Sequence, residues 1–218
     1  MSRTFIFANG VLNPPLPAVS TFTQGDWIIA ADGGASHCVR LGLTPHTLIG
    51  DFDSLAPADI EALIQAGAEI IRHPAHKDET DLELAILHAI QKGSGEIVVY
   101  AALGARMDMT LANLMLLTHP AIKHIRLSLV DGNQEIRILH SGEEIHLHGE
   151  PGDTVSLIPF SPITTMITTQ ALEYPLSEGT LTLGSPRGVS NVMLGETCHI
   201  SLGDGILAVV HIRQASRK

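Results

Sequence analysis

The sequence predicts a mostly parallel α/β domain flanked by helices over residues 1–131, followed by a smaller all-β sandwich domain over residues 132–218. Up to Asp131, short runs rich in Ile and Val alternate with helix-like segments, the pattern of buried strands covered by crossover helices. Beyond Asp131 the helical period disappears, and short strands follow one another between Gly and Asp turns, as in a sandwich or barrel. A length of 218 residues suffices for two modest cores.

In chain order, the apolar runs at 4–8, 27–31, 47–49, 69–72, 97–101 and 125–130 are bounded by Gly, Asp or Pro and predict six strands. Helices are expected between them at 34–42, 57–67, 80–92 and 109–118. In the third, Leu82, Ala85, Ile86, Ala89 and Ile90 recur on one helical face. Thr80 with Glu83 has the spacing of a capping box, and Gly93 is a stop. Met107, Met109 and Met115 on the fourth helix are expected to pack, and Trp27 to belong to the core. In the second half, strands are expected at 155–158, 180–183, 198–202 and 206–211, with 184–188 a loop carrying a solvated Arg187 and a frayed tail at 214–218.

A hydrophobic fraction of 44% and a charged fraction of 17% describe an ordinary globular chain. The net charge of −10 argues against nucleic acid or an anionic membrane as partner, since both call for a basic surface. It permits a phosphate ligand whose charge a metal ion offsets. Cys38 and Cys198 are far apart and outside any CxxC pair, so a reducing compartment is expected; with no apolar stretch approaching a signal core or membrane span, the expected location is cytoplasmic. The twelve histidines are scattered, with His146-x-His148 the closest pair, in an expected strand; exposed strand histidines are the preferred reading over a zinc site.

Ligands of an open α/β sheet bind beyond the carboxyl ends of its strands, and those ends carry charge. The second strand ends in Ala31-Asp32-Gly33-Gly34-Ala35 and the third in Gly50-Asp51-Phe52-Asp53-Ser54. The fourth leads to Lys77-Asp78-Glu79-Thr80-Asp81, the fifth to Gly104-Ala105-Arg106-Met107-Asp108. In an extended backbone Asp51 and Asp53 point to one side, where two carboxylates repel unless a hard cation lies between them. Asp81, in the first turn of the next helix, is positioned to complete that set. Gly33 and Gly34 permit close backbone approach to a phosphate, and Lys77 and Arg106 are cations for the same phosphates. Singly, each has a plain alternative: a turn, a dipole-favouring Asp81, a surface Asp78. Their coincidence at successive strand ends points to a magnesium-dependent nucleotide or phosphate enzyme.

Those four segments in that order, continued by Val155-Ser156-Leu157-Ile158-Pro159, Leu172-Glu173-Tyr174-Pro175-Leu176 and Gly188-Val189-Ser190-Asn191, resemble the thiamine pyrophosphokinase family along nearly the whole chain. The resemblance implies an ATP- and magnesium-binding α/β domain, a thiamine-binding β-sandwich, and a homodimer with thiamine at the subunit interface. Carried over by motif, Asp51, Asp53 and Asp81 would hold magnesium, with Asp78 close by; these four and Asp108 form the expected catalytic set. Asp32, Gly33, Gly34, Ala35, Lys77, Thr80 and Arg106 would line the nucleotide. Asp108, Tyr174, Ser190 and Asn191 would meet thiamine, where an aromatic face suits a cationic thiazolium. One motif departs from the common bacterial form, Gly-Gly-Arg-x-Asp-His, by carrying Ala105 and Met109; Met109 is assigned no catalytic duty.

The implied reaction is in-line attack by the thiamine hydroxyl on the β-phosphorus of ATP with release of AMP, the proton passing to Asp108 or to a metal-linked carboxylate. Positioning and charge stabilisation supply most of the effect. A diphosphokinase for another heterocyclic alcohol, such as a pterin, and a nucleotide or thiamine sensor without turnover are the alternatives.

Overall fold

A computed structural model describes residues 2–53, 55–74 and 76–214, so Ser54 and tail residues 215–218 lie outside the described residues. The chain divides into two compact units, Met1–Gly132 and Asn133–Lys218.

The first unit runs β1 (Ser2–Phe7), β2 (Trp27–Ala31), α1 (Gly34–Arg40), β3 (Thr47–Gly50), α2 (Pro57–Gln65), β4 (Glu69–Arg72), α3 (Asp81–Gln91), β5 (Ser94–Tyr100), α4 (Met107–Leu116) and β6 (Arg126–Asp131). Its six strands are parallel in the order β6-β5-β1-β2-β3-β4. The chain builds outward from β1 to β4, then returns to add β5 on the other side of β1. That reversal creates a switch point, with a crevice beyond the ends of β1 and β5. Phe5, Phe7, Ile28, Ala30 and Leu48 share one buried cluster with Ala35 and Cys38 of α1 and Ile60 and Leu63 of α2. By strand alternation the fully buried Ile6, Ile29 and Ile49 face the other side, where α3 crosses β1, β2, β3 and β5. The α3 start is as expected, with the Thr80 hydroxyl accepting from the Glu83 N–H at 3.1 Å. The Glu83 carboxylate does not close the box; it lies 4.0 Å from His119 Nε2.

Several expectations change. β5 starts three residues earlier than its apolar run, because buried Ser94 bonds the Thr4 hydroxyl across the sheet at 2.5 Å and so satisfies a polar strand start. Two of the three α4 methionines do not pack as expected: Met107 is 72% and Met115 59% exposed, whereas Met109 is half-buried. Asn113 is the one buried residue of this helix. Trp27 is half-buried, stacked on His46 at 4.7 Å with its indole N–H donating to Thr47.

The second unit contains β7 (Gln134–His140), β8 (Glu144–His148), β9 (Thr154–Pro159), β10 (Ile163–Gln170), β11 (Gly179–Thr182), β12 (Asn191–Val192), β13 (Thr197–Ser201) and β14 (Ile206–Ile212). One antiparallel sheet has the order β12-β9-β14-β7, the other β11-β10-β13-β8. Leu139, Val155, Leu157, Leu207 and Val209 of the first share a core with Leu147, Ile167, Leu181, Cys198 and Ile200 of the second. β7 and β10 carry weak strand signals. β7 includes Glu135, buried between Arg137 and Arg213. β10 is rich in Thr and shifts register where Met166 takes a φ of 55°.

The expected frayed tail does not begin at Gln214. Its N–H donates to Asp153 Oδ1 at 2.8 Å. The same buried carboxylate accepts from the Glu150 N–H and from His211 Nε2 at 2.9 Å. Burial alone would raise the Asp153 pKa, but the Gln214 and Glu150 N–H groups and His211 together hold it below its ordinary value. A depressed carboxylate contributes stability that is complete above the unfolded value near pH 4 and is lost as pH falls through the folded value. Asp153→Asn should therefore cost about 2–4 kcal/mol at pH 7. Urea unfolding at pH 7 and at roughly pH 3 should show the gap between variant and parent narrowing in acid.

Candidate active site

Pocket-lining residues converge at the switch point of the first unit. They come from the end of β1 (Ala8, Asn9, Gly10), the end of β2 (Asp32), the start of α3 (Thr80, Asp81), the loop after β5 (Gly104, Ala105, Arg106) and α4 (Met109, Asn113). The cavity volume is about 200 Å³, below the range of pockets that enclose a drug-sized ligand.

The local backbone is shaped by close packing. A Cβ at Gly34 would run into the Phe7 carbonyl, and one at Gly33 would overlap the Asn9 amide. The close approach at these glycines is thus to the end of β1, which lets α1 start tightly against it. At Gly50 a Cβ would come within 3.2 Å of Asp32 Cα, so glycine there allows the end of β3 to lie beside Asp32.

That approach brings three carboxylates together: oxygens of Asp32, Asp51 and Asp53 all lie within 4.8 Å of one another. Asp51 and Asp53 are not on an extended segment. Phe52 has a φ of 63°, its ring is buried, and the Arg72 guanidinium lies 5.2 Å over it. The left-handed residue turns the chain so that the Asp53 N–H meets Asp51 Oδ1 at 3.2 Å. The charge of Asp51, with some desolvation and then Asp32 behind it, pushes the Asp53 carboxyl above its usual range. Three acids whose charges resist one another form an all-oxygen donor set suited to a hard divalent cation.

Asp81, expected in that set, is instead ion-paired to Lys77 Nζ at 2.9 Å. Its charge still contributes to raising Asp53. Asp78 is exposed in the loop before α3. Arg106 and Asp108 hold each other by two contacts, Nε–Oδ1 at 3.1 Å and Nη2–Oδ2 at 2.5 Å. Hydrogen bonding to Arg106 lowers the Asp108 pKa, and Asp108 raises that of Arg106. Ala105 adopts a φ of 58°, the conformation in which glycine is commoner.

Two residues were not singled out by sequence reasoning. Asn9 donates from Nδ2 to Asp32 Oδ2 at 2.8 Å and so orients that carboxylate. It ends β1, as the acids end later strands, and that position was its signal. Asn113 is 6% exposed and donates to the Ala102 carbonyl at 2.6 Å, while its Oδ1 has no hydrogen-bond partner among the described residues. An amide inside the run Leu111-Ala112-Asn113-Leu114 was the available clue.

The other expected substrate residues lie in the second unit. Tyr174 is 66% exposed. Asn191 is buried, and its amide is spent on that neighbour: Oδ1 accepts from the Tyr174 N–H at 3.0 Å and Nδ2 donates to the Tyr174 carbonyl at 2.7 Å. Ser190 is exposed with a φ of 60°, its N–H donating to Ser156 Oγ. Cys38 and Cys198 are free and buried, and burial pushes their thiols up to about 12 and about 11. Among the described residues no helix is long and apolar enough to cross a membrane.

Comparison with known proteins gives this fold a family. Residues 19–129 match the model of the thiamin pyrophosphokinase catalytic domain, and residues 142–207 that of the thiamin pyrophosphokinase vitamin B1 binding domain. Thiamine pyrophosphokinase of Bacillus subtilis is 30% identical over 96% of this chain and 98% of its own. Thiamine pyrophosphokinase 1 of Oryza sativa subsp. japonica is 27% identical over 95% of this chain and 88% of its own. The crystal structure of the Bacillus subtilis enzyme superposes with a TM-score of 0.86 at 26% identity, covering 99% of this chain and all of the other. The chain belongs to the thiamine pyrophosphokinase family.

Proposed function

We propose that this enzyme transfers a diphosphoryl group from ATP to the hydroxyl of thiamine, with ATP and magnesium bound by a catalytic domain over residues 1–131 and thiamine contacted by a β-domain over residues 132–218. The hydroxyl oxygen bonds to the β-phosphorus as the bond from that phosphorus to the α–β bridging oxygen breaks. AMP leaves, and the hydroxyl proton passes to a nearby base. What carries this function is the convergence of Asp32, Asp51 and Asp53 beside a pocket at the switch point. The vitamin B1 binding domain match over 142–207 favours thiamine over a pterin or another heterocyclic alcohol.

The donor set fits magnesium, which takes carboxylate oxygens and keeps company with phosphates. Asp32, Asp51 and Asp53 would hold it, with Asp81 and Asp78 at its margin. When bound, the ion would offset the charge of the phosphate oxygens. Lys77 and Arg106 are the cations suited to those oxygens, each kept in place by a carboxylate, Asp81 and Asp108 respectively. Gly33, Gly34, Ala35 and Thr80 complete the nucleotide side. Asp108, held in its weakly basic form by Arg106, is better suited to orient that cation than to take the proton. Tyr174 offers an exposed ring to the thiazolium, Ser190 adds an exposed hydroxyl, and Asn191 acts by fixing the Tyr174 backbone. A cytoplasmic homodimer is part of this proposal.

Purified protein given ATP, magnesium and thiamine should form AMP and thiamine diphosphate in equal amounts. ADP with thiamine monophosphate would mean a simple kinase, and no product a silent binder. Asp51→Ala and Asp53→Ala should each lower turnover by about 100-fold or more, with the urea midpoint little changed; ordinary turnover in either would remove the metal assignment.

A further inference from the structure

The outer face of the second unit's β8–β13 pair carries a group of donors unlike the acidic one. On β8, Ile145 and Leu147 turn toward the core, leaving Glu144, His146 and His148 on the other face. On β13, Cys198 and Ile200 turn inward and leave His199 outward. The antiparallel register sets His199 directly opposite His146, with Glu144 two residues along the same face. Directly opposite residues are the closest neighbours across a sheet, and the diagonal position lies within reach of a long side chain.

The side chains use that placement. His199 Nε2 lies 3.1 Å from Glu144 Oε2, and the rings of His146 and His199 are 4.6 Å apart, tilted by 31°. One ligand atom from each of the three lies within 4.8 Å of the others. Two ligands at about 2.0–2.1 Å from a tetrahedral zinc are separated by roughly 3.4 Å. The histidine–glutamate contact, at 3.1 Å, is close to that spacing, and the third donor lies within 4.8 Å of both.

We propose that Glu144, His146 and His199 form a second cation site, taking a divalent ion that prefers imidazole, with zinc the leading candidate. Two nitrogens and one oxygen select zinc, nickel or copper over magnesium, just as the all-oxygen acids select the reverse. Glu144 and His146 are exposed and His199 has 19% of its side chain exposed, so solvent can fill the remaining positions. Such an ion would clip the edge strand β8 to β13. The spacing of His146 and His148 along one strand did not reveal this, because the partner histidine lies 53 residues later and arrives only through the strand register. The site is independent of the catalytic assignment.

Zinc titrated into the full chain by calorimetry, with cobalt absorption as a reporter of nitrogen ligation, tests it. The parent should bind zinc saturably with a visible cobalt band. His146→Ala and His199→Ala should each weaken zinc by at least about tenfold and lose the band, whereas His148→Ala and Asp51→Ala should keep both. Circular dichroism of the variants should match the parent, since His146 is exposed and its loss leaves the core untouched. Equal zinc affinity in parent and His146→Ala, or no saturable binding in the parent, overturns the site.

Discussion

The fold holds three negative charges against their mutual repulsion. Asp32 ends β2, while Asp51 and Asp53 follow the neighbouring β3, and Gly50 lets the two strand ends approach. Their repulsion is visible in the raised pKa of Asp53. Backbone packing sustains this arrangement: the Phe52 ring buried under Arg72 anchors the turn, and Asn9 fixes Asp32 from β1. Apolar burial on both faces of the parallel sheet offsets the cost of holding the acids together.

The same sheet explains why the cations stand where they do. Lys77 precedes α3 and Arg106 precedes α4, the helices that bring the chain from β4 to β5 and from β5 to β6. Each cation is paired with an acid in the first turn of its helix, so the pocket is lined by side chains already oriented by partners. Preorganisation of this kind is what a reaction dominated by positioning and charge requires. In the second unit Asn191 does the equivalent for Tyr174, using a buried amide to hold an exposed ring.

Much of this was legible in the sequence. The strands of the parallel sheet announce themselves because burial on both faces makes them continuous apolar runs, as at Ile28 to Ala31. β7 and β10 are harder to read, because Glu135 relies on distant Arg213 and the Thr-rich β10 bends at Met166. Among site residues, the acids at strand ends stood out by position. The replacement of Asp81 by Asp32 in the cluster did not, since it depends on a positive φ at Phe52 and on a close contact at Gly50. Exposure of Met107 and Met115 was equally hidden, because apolar residues lie all round α4 and its pattern singles out no one face.

The grouping of Asp32 with Asp51 and Asp53 is the most specific claim, and equilibrium binding of manganese as a magnesium surrogate tests it directly. Free manganese would be followed by electron paramagnetic resonance in the parent, Asp32→Asn and Asp81→Asn. Asp32→Asn is expected to weaken binding by about tenfold or more, and Asp81→Asn by clearly less. Parent-like binding in Asp32→Asn, or a larger loss in Asp81→Asn, would contradict the assignment.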